Sequence, residues 1–300
     1  MPDAPLTVVV VHRDTSERLA DSLDALDRST LPAVALVVDN GSVPAHLDRA
    51  RTTVAEHGGT LIEMGANTGF GPGANAGWRR WLDEGVGEWV ALMPHDALPA
   101  VDALERLVAE GSARPRAGLV SADVGDGATP VIDPYFGGIT RPRAVDDGWE
   151  AADHPHGTLM LARRACLDDI GLFDERYFAY CEEADLGIRA REAGWEVGIV
   201  HGARVVNPAV GPATAAVDYL QMRNTLILVR EHSGRYHATI RYLMAIGQIA
   251  AGSVRPDRQL PWFSARARLR ALVDFPLGRV GPPPASLLPR PSPPDVTPRG

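Results

Sequence analysis

Short apolar runs alternate along the chain with stretches in which apolar residues recur at the period of an α-helix. The pattern predicts strands at Thr7–Val11, Ala33–Val38, Thr60–Met64, Trp89–Met93 and Glu196–Val206. It predicts helices at Ser16–Arg28, from Ser42 to about His57, and at Ala74–Glu84, Val101–Glu110, Glu182–Ala193, Ala213–His232 and Tyr236–Ala250. Strands that alternate with helices are typical of βαβ units, so the sequence predicts an α/β fold with a mostly parallel central sheet flanked by helices.

The alternation weakens between Gly111 and Pro155, a segment rich in Gly, Pro and Asp. We expect a sheet edge and a mobile loop over the functional site there. Residues Pro282–Gly300 have the proline content of a disordered tail. The chain is therefore expected to consist of an α/β domain over residues 1–234, a helical extension over residues 235–280 and a tail over residues 281–300.

The composition is that of a globular protein, with 300 residues of which 45% are hydrophobic. No run of about 18 apolar residues is present, and the N-terminal residues lack the pattern of a signal peptide. We therefore expect a cytoplasmic protein. The two cysteines, Cys166 and Cys181, are too few for a disulfide framework or a cysteine-based zinc site.

The formal net charge of −8 is unevenly distributed. Residues 235–300 contain ten Arg and three Asp, a net charge of +7, which leaves −15 for residues 1–234. This basic region favours an anionic contact, such as peripheral association with a membrane surface or a lipid phosphate, although a solvated tail is the simpler explanation. Nucleic acid is not expected as a partner, because no aromatic side chains interleave with the arginines to form a stacking platform.

Candidate functional residues follow several of the predicted strands, at the ends where loops of an α/β sheet converge. Asp39 closes the second strand, and Asn40, Gly41 and Ser42 form a tight polar turn behind it. Such a turn can hold a base and a ribose by hydrogen bonds. The same residues are also favoured in any turn that reverses the chain. The sequence alone does not decide between a nucleoside-binding turn and an ordinary one.

A glycine-rich loop, NTGFGPGANAG, runs from Asn67 to Gly77 between the third strand and a helix. Gly69 and Gly73 allow close approach of the backbone, and a helix start offers amides to an anion such as a diphosphate. The spacing is neither the dinucleotide fingerprint nor a P-loop, which would require a lysine. A flexible connection is the alternative, but Asn67 and Asn75 favour a binding loop.

Asp96 follows the buried run that ends at Met93. A carboxylate in this place can hold a divalent cation that bridges phosphate oxygens. Capping of the next helix is an equally sufficient explanation.

Three carboxylates, Glu182, Glu183 and Asp185, stand in an aromatic and apolar setting where a helix begins. An apolar environment raises the pKa of a carboxyl group toward the range that a general base needs. Alternatively, acidic residues at this position complement the helix dipole. The residues themselves do not decide between these two roles.

In order and spacing, four segments together resemble family 2 glycosyltransferases of the GT-A fold, especially the bacterial rhamnosyltransferase-like branch. They are TVVVV at the opening strand, VDNGS at Val38–Ser42, NTGFGPGANAG at Asn67–Gly77 and FDERYFAYCEEADLGIRAREAGW at Phe173–Trp195. Arg163-Arg164 and Tyr219 with Arg223-Asn224 look like two further signatures of the family. The resemblance extends from about Leu6 to Glu231.

The resemblance implies a role for each matching position. Glu183 would be the base that takes the proton from the acceptor hydroxyl, with Glu182 and Asp185 orienting it or the acceptor. Asp96 would bind Mg²⁺ or Mn²⁺, with Asn207 as a weaker candidate where many relatives have a histidine. The nucleotide would contact Val10, His12, Asp39, Asn40, Gly41, Asn67, Gly69, Gly73 and Asn75.

The implied activity is inverting transfer of a sugar from a dTDP- or UDP-linked donor, such as a rhamnose donor. The acceptor would be a saccharide, a lipid-linked sugar or a small molecule, in assembly of a polysaccharide, a glycolipid or a natural product. His12-Arg13-Asp14 replaces the Tyr-Asn pair common in relatives, and Pro94 and His95 replace the usual companions of Asp96. A catalytically silent homologue is therefore an alternative, and a sugar nucleotidyltransferase is a less favoured one because the chain has no lysine.

Overall fold

The computed structural model describes residues 4–208, 214–254 and 263–288. Most of the predicted disordered tail, residues 289–300, lies outside these ranges. The strands are β1 Leu6–His12, β2 Ala33–Asp39, β3 Thr60–Glu63, β4 Trp89–Pro94, β5 Leu98–Pro99, β6 Ala117–Asp123, β7 Ala128–Asp133, β8 Gly137–Pro142, β9 Gly148–Ala151, β10 Met160–Arg163 and β11 Glu196–Val206. The helices are α1 Ser16–Asp27, α2 Pro44–Glu56, α3 Phe70–Glu84, α4 Ala103–Ser112, α5 Arg164–Ile170, α6 Glu182–Glu192, α7 Ala215–His232, α8 Gly234–Val254 and α9 Ala265–Asp274.

One large mixed sheet organises the fold, with the strand order β3-β2-β1-β4-β10-β6-β11-β5 and with β9 paired to β11. Strands β1 to β4 pair in parallel, as do β6 and β11. Strand β10 lies antiparallel between β4 and β6. The predicted α/β architecture is confirmed, and its parallel part contains the strands predicted near the N-terminus.

The opening strand is apolar at successive positions because helices cover both faces of the sheet. Val8 and Val10 pack into one core cluster with Leu19 and Leu23 of α1. Val9 packs into the cluster on the opposite face, together with Trp78 and Trp81 of α3. This double burial fixes β1 and leaves its carboxyl end at the edge where the candidate residues lie.

The segment Gly111–Pro155 differs from the prediction of a sheet edge and loop. Its first strand, β6, is buried along its length and lies in the interior of the sheet between β10 and β11. The strand contains Gly118 because a Cβ there would meet the Cys166 side chain. A glycine and a serine interrupt the apolar run, and this weakens its sequence pattern.

Helices α7, α8 and α9 share a core cluster that includes Tyr219, Leu226, Ala245, Ala271 and Leu272. Helix α8 is somewhat longer than predicted, and α9 was not predicted. None of the helices within the described ranges is long and apolar enough to span a bilayer.

Candidate active site

A cavity of about 540 Å³ lies where the loops after β4 and β11 meet the beginning of α6. We call it the donor cavity, after the role that the family resemblance implies for these residues. Its walls bring together Asp96, Asn207, Glu182 and Glu183, four residues that the sequence analysis singled out. The other lining residues are Phe70, Pro94, His156, Gly157, Thr158, Ala179 and Tyr180.

Asp96 and Asn207 lie side by side in this cavity. The Asn207 side-chain amide donates a hydrogen bond to Asp96, with 3.0 Å between Nδ2 and Oδ1. The second carboxylate oxygen of Asp96 lies 4.0 Å from the Arg18 guanidinium. Asp96 does not cap a helix, because Asp102 precedes the first residue of α4. The capping explanation is therefore wrong, and the Asp96 carboxylate faces the cavity.

Glu182 and Glu183 occupy the first two positions of α6. Glu182 is 2% exposed, and its Oε2 has no hydrogen-bond partner within the described part of the chain. Burial, followed by the neighbouring Glu183 charge, raises the pKa of Glu182 well above its ordinary value. Burial also raises the pKa of Glu183. Removal from water at the start of α6 is the main cause of both shifts.

Gly157 makes room for Glu183. A Cβ on Gly157 would overlap Oε1 of Glu183, so the loop before β10 is in direct contact with this carboxylate. The glycine and the glutamate together define one wall of the donor cavity.

The backbone leading into α6 is strained, because Phe178, Tyr180 and Cys181 have positive φ angles of 67°, 69° and 74°. Asn224 of α7 holds this segment by donating its side-chain amide to the carbonyl oxygens of Tyr177, Ala179 and Tyr180 at 2.8–2.9 Å. These hydrogen bonds fix the entry into α6, and with it the positions of Glu182 and Glu183.

Arg223 supports the same segment from α7. Its guanidinium donates to the Asn224 side-chain oxygen at 3.0 Å, the Gly281 carbonyl oxygen at 2.8 Å and the Tyr219 hydroxyl at 3.3 Å. The signature formed by Tyr219 and Arg223-Asn224 is thus a buried clamp beneath the carboxylates.

Asp185 does not line the donor cavity. Its carboxylate is held by Arg189 Nε and His232 Nε2, each at 2.8 Å. Two residues along an α-helix turn the side chain by about 200° relative to Glu183, which directs Asp185 into the protein. It ties α6 to α7.

Asp39 and His12 form a buried pair at the carboxyl end of the parallel strands, with 3.0 Å between Oδ2 and Nδ1. Burial raises the pKa of Asp39, but hydrogen bonds from Ser42 and His12 outweigh it, so the pKa lies below its ordinary value. Burial lowers the pKa of His12. The His12 ring contacts His95 edge-on at 5.1 Å, next to Asp96. Asp39 does not line the donor cavity but is linked to it through these two rings.

Asn40 organises the glycine-rich loop. It donates to the Gly69 carbonyl oxygen at 2.8 Å and accepts from the Thr68 amide at 2.9 Å, and Asn67 accepts from the Gly69 amide. A Cβ on Gly41 would collide with the Ala66 and Asn67 backbone, and one on Gly69 would collide with Phe178. These contacts hold the loop in place, which argues against the alternative of a flexible connection. Phe70, at the start of α3, lines the cavity.

The start of α3 does not offer the free amides expected for an anion. The helix begins at Phe70, four residues earlier than predicted, and Pro72 in its first turn has no N–H. The Gly71 amide donates to the Phe178 carbonyl oxygen at 3.3 Å, and the Gly73 amide donates to Gly69 at 3.1 Å. These hydrogen bonds hold the loop in place, and they leave few donors for a phosphate.

Three predicted nucleotide contacts lie elsewhere. Asn75 is fully buried and bonds the Phe173 backbone through both its amide nitrogen and its oxygen. Gly73 packs against Val11 and Asn40, where it allows α3 to approach β1. The Val10 side chain lies in the core. The structure thus gives all three residues packing roles, since each lies between the sheet and a helix or loop.

The segment from residue 2 to residue 236 matches the family model described as "Glycosyltransferase like family 2". The chain belongs to this glycosyltransferase family. The resemblance drawn from the sequence motifs is confirmed, and so is the expectation of a transferase.

A curated relative of the glycosyltransferase is the N-acetylglucosaminyl-diphospho-decaprenol L-rhamnosyltransferase of Mycobacterium tuberculosis, strain CDC 1551 / Oshkosh. It is 27% identical over 280 residues, which cover 80% of this chain and 89% of the relative. The protein of the same description from strain ATCC 25618 / H37Rv aligns with the same values. The rhamnosyltransferase-like resemblance is therefore confirmed.

Two solved structures share the fold. The mannosyltransferase PcManGT from Pyrobaculum calidifontis, in complex with GDP-Man and Mn²⁺, aligns with a TM-score of 0.60 and 17% identity over 93% of this chain and 90% of that one. GalNAc-T7 with UDP, GalNAc and Mn²⁺ aligns with a TM-score of 0.65 and 15% identity over 90% and 55% of the two chains. The predicted GT-A fold is confirmed.

The sequence analysis of this glycosyltransferase missed His156 and Tyr180 as cavity residues. Burial lowers the pKa of His156, which favours a neutral imidazole. Burial and the charges of Glu182 and Glu183 raise the pKa of Tyr180. His156 lies in a loop without periodicity, so only its position next to Gly157 could have drawn attention to it.

A second cavity of about 430 Å³ adjoins the donor cavity of the glycosyltransferase. We call it the acceptor cavity, after the role that we propose for it. Glu183 and Tyr180 line both spaces, and helices α7, α8 and α9 supply most of the other walls. One carboxylate therefore stands between two separate spaces.

Proposed function

We propose that this glycosyltransferase moves a sugar from a nucleoside diphosphate donor to a hydroxyl of a lipid-linked saccharide, with inversion at the anomeric carbon. The observation that carries the proposal is the position of Glu183, which faces the donor cavity on one side and the acceptor cavity on the other. A base in direct displacement needs this position, since the acceptor oxygen and the anomeric carbon meet there.

Glu183 would act as the general base. The acceptor hydroxyl oxygen forms the new bond to the anomeric carbon, its proton passes to Glu183, and the bond from that carbon to the diphosphate oxygen breaks. Attack opposite the leaving diphosphate inverts the anomeric centre. Burial raises the pKa of Glu183, which strengthens the carboxylate as a base.

Asp96 and Asn207 would hold the diphosphate end of the donor. Their oxygen atoms are hard donors of the kind Mg²⁺ and Mn²⁺ prefer. Within the described residues, no group of three or more His, Cys, Asp or Glu could hold a metal ion, so the diphosphate and water would supply the remaining ligands. When bound, the cation would neutralise the charge that develops on the departing diphosphate.

The nucleoside would extend from Asp96 toward Asp39 along the His95 and His12 rings. The His12 Nε2 is buried without a hydrogen-bond partner in the described part of the chain. Asn40, Gly41, Asn67 and Gly69 would shape this side of the pocket through the clamped loop. We propose a dTDP- or UDP-linked donor, with rhamnose as the sugar named for the mycobacterial relative.

The relative's name also suggests a polyprenyl diphosphate saccharide as acceptor. Such a substrate lies in a membrane, and helices α8 and α9 and the turn after α9 carry exposed apolar residues that could contact one. Leu243, Leu269 and Leu277 are 61%, 53% and 60% exposed, and Arg235 and Arg266 are also exposed. Apolar and cationic side chains together suit an anionic bilayer surface, so we propose peripheral membrane contact through this region.

Thermal shift measurements on the full chain with UDP and dTDP, with and without Mn²⁺, test the donor site. A nucleotide that binds only the folded state raises the melting temperature. We expect Mn²⁺ to increase this shift and Asp96→Ala to abolish the increase. Exposed Asp83→Ala serves as the matched control. The absence of a shift with any nucleotide would contradict the proposal.

Release of sugar from dTDP-rhamnose, and transfer to a short polyprenyl diphosphate saccharide, would separate an active enzyme from a catalytically silent homologue. A silent homologue would bind the nucleotide and give neither product.

A further inference from the structure

The acceptor cavity contains buried charges that the proposed base and donor site do not explain. Its walls include Asp218 of α7, Arg241 and Gln248 of α8, and Arg268 of α9. Asp218, Arg241 and Arg268 are 2%, 8% and 8% exposed. Charged groups are seldom buried to this extent unless they are paired, so each charge requires a partner.

Asp218 and Arg268 satisfy each other. The Arg268 Nε lies 2.9 Å from both carboxylate oxygens of Asp218. The Ser264 amide donates a further hydrogen bond to Asp218 at 2.7 Å. This pair is neutral overall and leaves no spare carboxylate for a second arginine.

Arg241 lacks an anionic partner among the described residues. No carboxylate of the described residues lies within ion-pair distance of its guanidinium, whose contacts are the Gln248 Oε1 at 3.1 Å and the Phe136 ring at 5.4 Å. Its Nε is buried without a hydrogen-bond partner in the same described part of the chain. Burial and the nearby Arg268 charge lower the pKa of Arg241, as expected where a cation meets no counter-charge.

We propose that Arg241 binds a phosphate or diphosphate group of the acceptor substrate. This inference rests on the proposed function and names the part of the acceptor cavity that recognises the lipid-linked substrate. Arginine matches the geometry of phosphate oxygens, and its planar guanidinium can donate to two of them at once. The acceptor cavity also includes Glu183, so an acceptor held by its phosphate at Arg241 can present a hydroxyl to the base.

Calorimetric titration of inorganic pyrophosphate into the full chain, in the presence of EDTA, tests this subsite. Arg241→Gln should weaken pyrophosphate binding by about tenfold or more, the usual effect of losing a charged hydrogen bond. Arg28→Gln removes the same charge from an exposed position directly after α1 and should bind like the wild type. Equal pyrophosphate affinity in the wild type and Arg241→Gln would overturn the proposal, as would no detectable binding to the wild type.

Competition identifies which substrate supplies the phosphate. If UDP with Mn²⁺ displaced pyrophosphate from the Arg241 subsite, or if Arg241→Gln weakened UDP binding to the same degree, the group would belong to the donor and the proposal would be wrong. We expect unchanged UDP affinity and, in transfer assays, a raised KM for the acceptor alone. If the wild type did not bind UDP, the proposed donor site would be contradicted instead. Failure of the Arg241 subsite and failure of the donor site are therefore distinguishable.

Arg241→Met separates recognition from folding. The substitution replaces the aliphatic part of the arginine by an apolar side chain of similar shape and removes the buried charge. The melting temperature without ligand should therefore equal or exceed that of the wild type. Pyrophosphate binding should still be lost. A large fall in melting temperature together with retained pyrophosphate binding would show that Arg241 is structural.

Discussion

Asn207 donates its side-chain amide to the carboxylate of Asp96, with 3.0 Å between Nδ2 and Oδ1. The two residues are far apart in sequence and follow strands β11 and β4. Their contact shows how the sheet assembles a polar group from distant segments at the rim of one cavity. The polar group that these two residues form consists of one carboxylate and one amide.

Asn207→Asp should strengthen binding of a divalent cation with the nucleotide, because a second carboxylate replaces a neutral ligand. Asn207→Leu, which has a similar size and no oxygen, should weaken Mn²⁺-dependent binding of UDP by about tenfold. Titration of UDP at several Mn²⁺ concentrations measures both effects. Equal Mn²⁺ dependence in the wild type and both variants would exclude Asn207 from the site.

Gly157→Ala should lower transfer activity by about a hundredfold while the protein stays folded. The added Cβ would overlap Oε1 of Glu183 and displace the base, and a displacement of about 1 Å can have this effect on the rate. Gly247→Ala on α8 is the matched control, since a Cβ there meets no atom within 4 Å. Steady-state kinetics at saturating donor and acceptor compare the variants. Undiminished kcat in Gly157→Ala would show that the contact does not position Glu183.

Glu182→Gln should stabilise the protein at neutral and alkaline pH. The pKa of Glu182 in the folded state is raised above its ordinary value of 4.5, so the folded state holds the proton more tightly than the unfolded state does. The stabilising contribution of Glu182 is thus present in acid and is lost as the pH rises through the raised pKa. Urea unfolding across the pH range measures this. If the difference between the wild type and Glu182→Gln did not grow with pH, Glu182 would titrate normally.

Asn224→Asp should destabilise the fold by about 3 kcal/mol, because its side chain keeps its size but loses the amide that serves three buried carbonyl oxygens. The strained segment before α6 would relax, and transfer activity would fall with it. Exposed Thr239→Ala on α8 is the control for a polar change outside the clamp. Urea unfolding and transfer kinetics measure the two consequences. Wild-type stability in Asn224→Asp would mean that the clamp is not needed.

Elements with strong periodicity could be predicted from the sequence. Strands β1, β2 and β4 and helix α1 lie within a few residues of their predicted bounds, because each has a continuous or regularly spaced apolar pattern. Strand β10 was missed because its four residues, Met160–Arg163, are too few to show a distinguishing period. The predicted start of helix α3 is too late, because Gly71, Pro72 and Gly73 taken alone indicate a loop. Proline is nevertheless tolerated in the first turn of a helix.

The candidate site could be predicted in part for similar reasons. Functional residues of an α/β fold are expected after strands and at the starts of helices. Four candidates lie at such positions, and the structure brings them into one cavity: Glu182, Glu183, Asp96 and Asn207. Asp185 shows the limit of this rule, since the helical turn directs it away. The burial of Arg241 could not be predicted, because a buried arginine and a solvated one have the same sequence pattern.

The pH dependence of sugar transfer by the wild type and Glu183→Gln tests the role of Glu183 most directly. If Glu183 is the base, kcat/KM for the wild type should fall as the pH decreases through a pKa above 4.5, because protonation removes the acceptor of the hydroxyl proton. Glu183→Gln should lose transfer activity by about a hundredfold to ten-thousandfold and should lack this acidic limb, while its affinity for UDP stays unchanged. A Glu183→Gln variant that transfers sugar at nearly the wild-type rate, with the same pH profile, would contradict the assignment of Glu183 as the base.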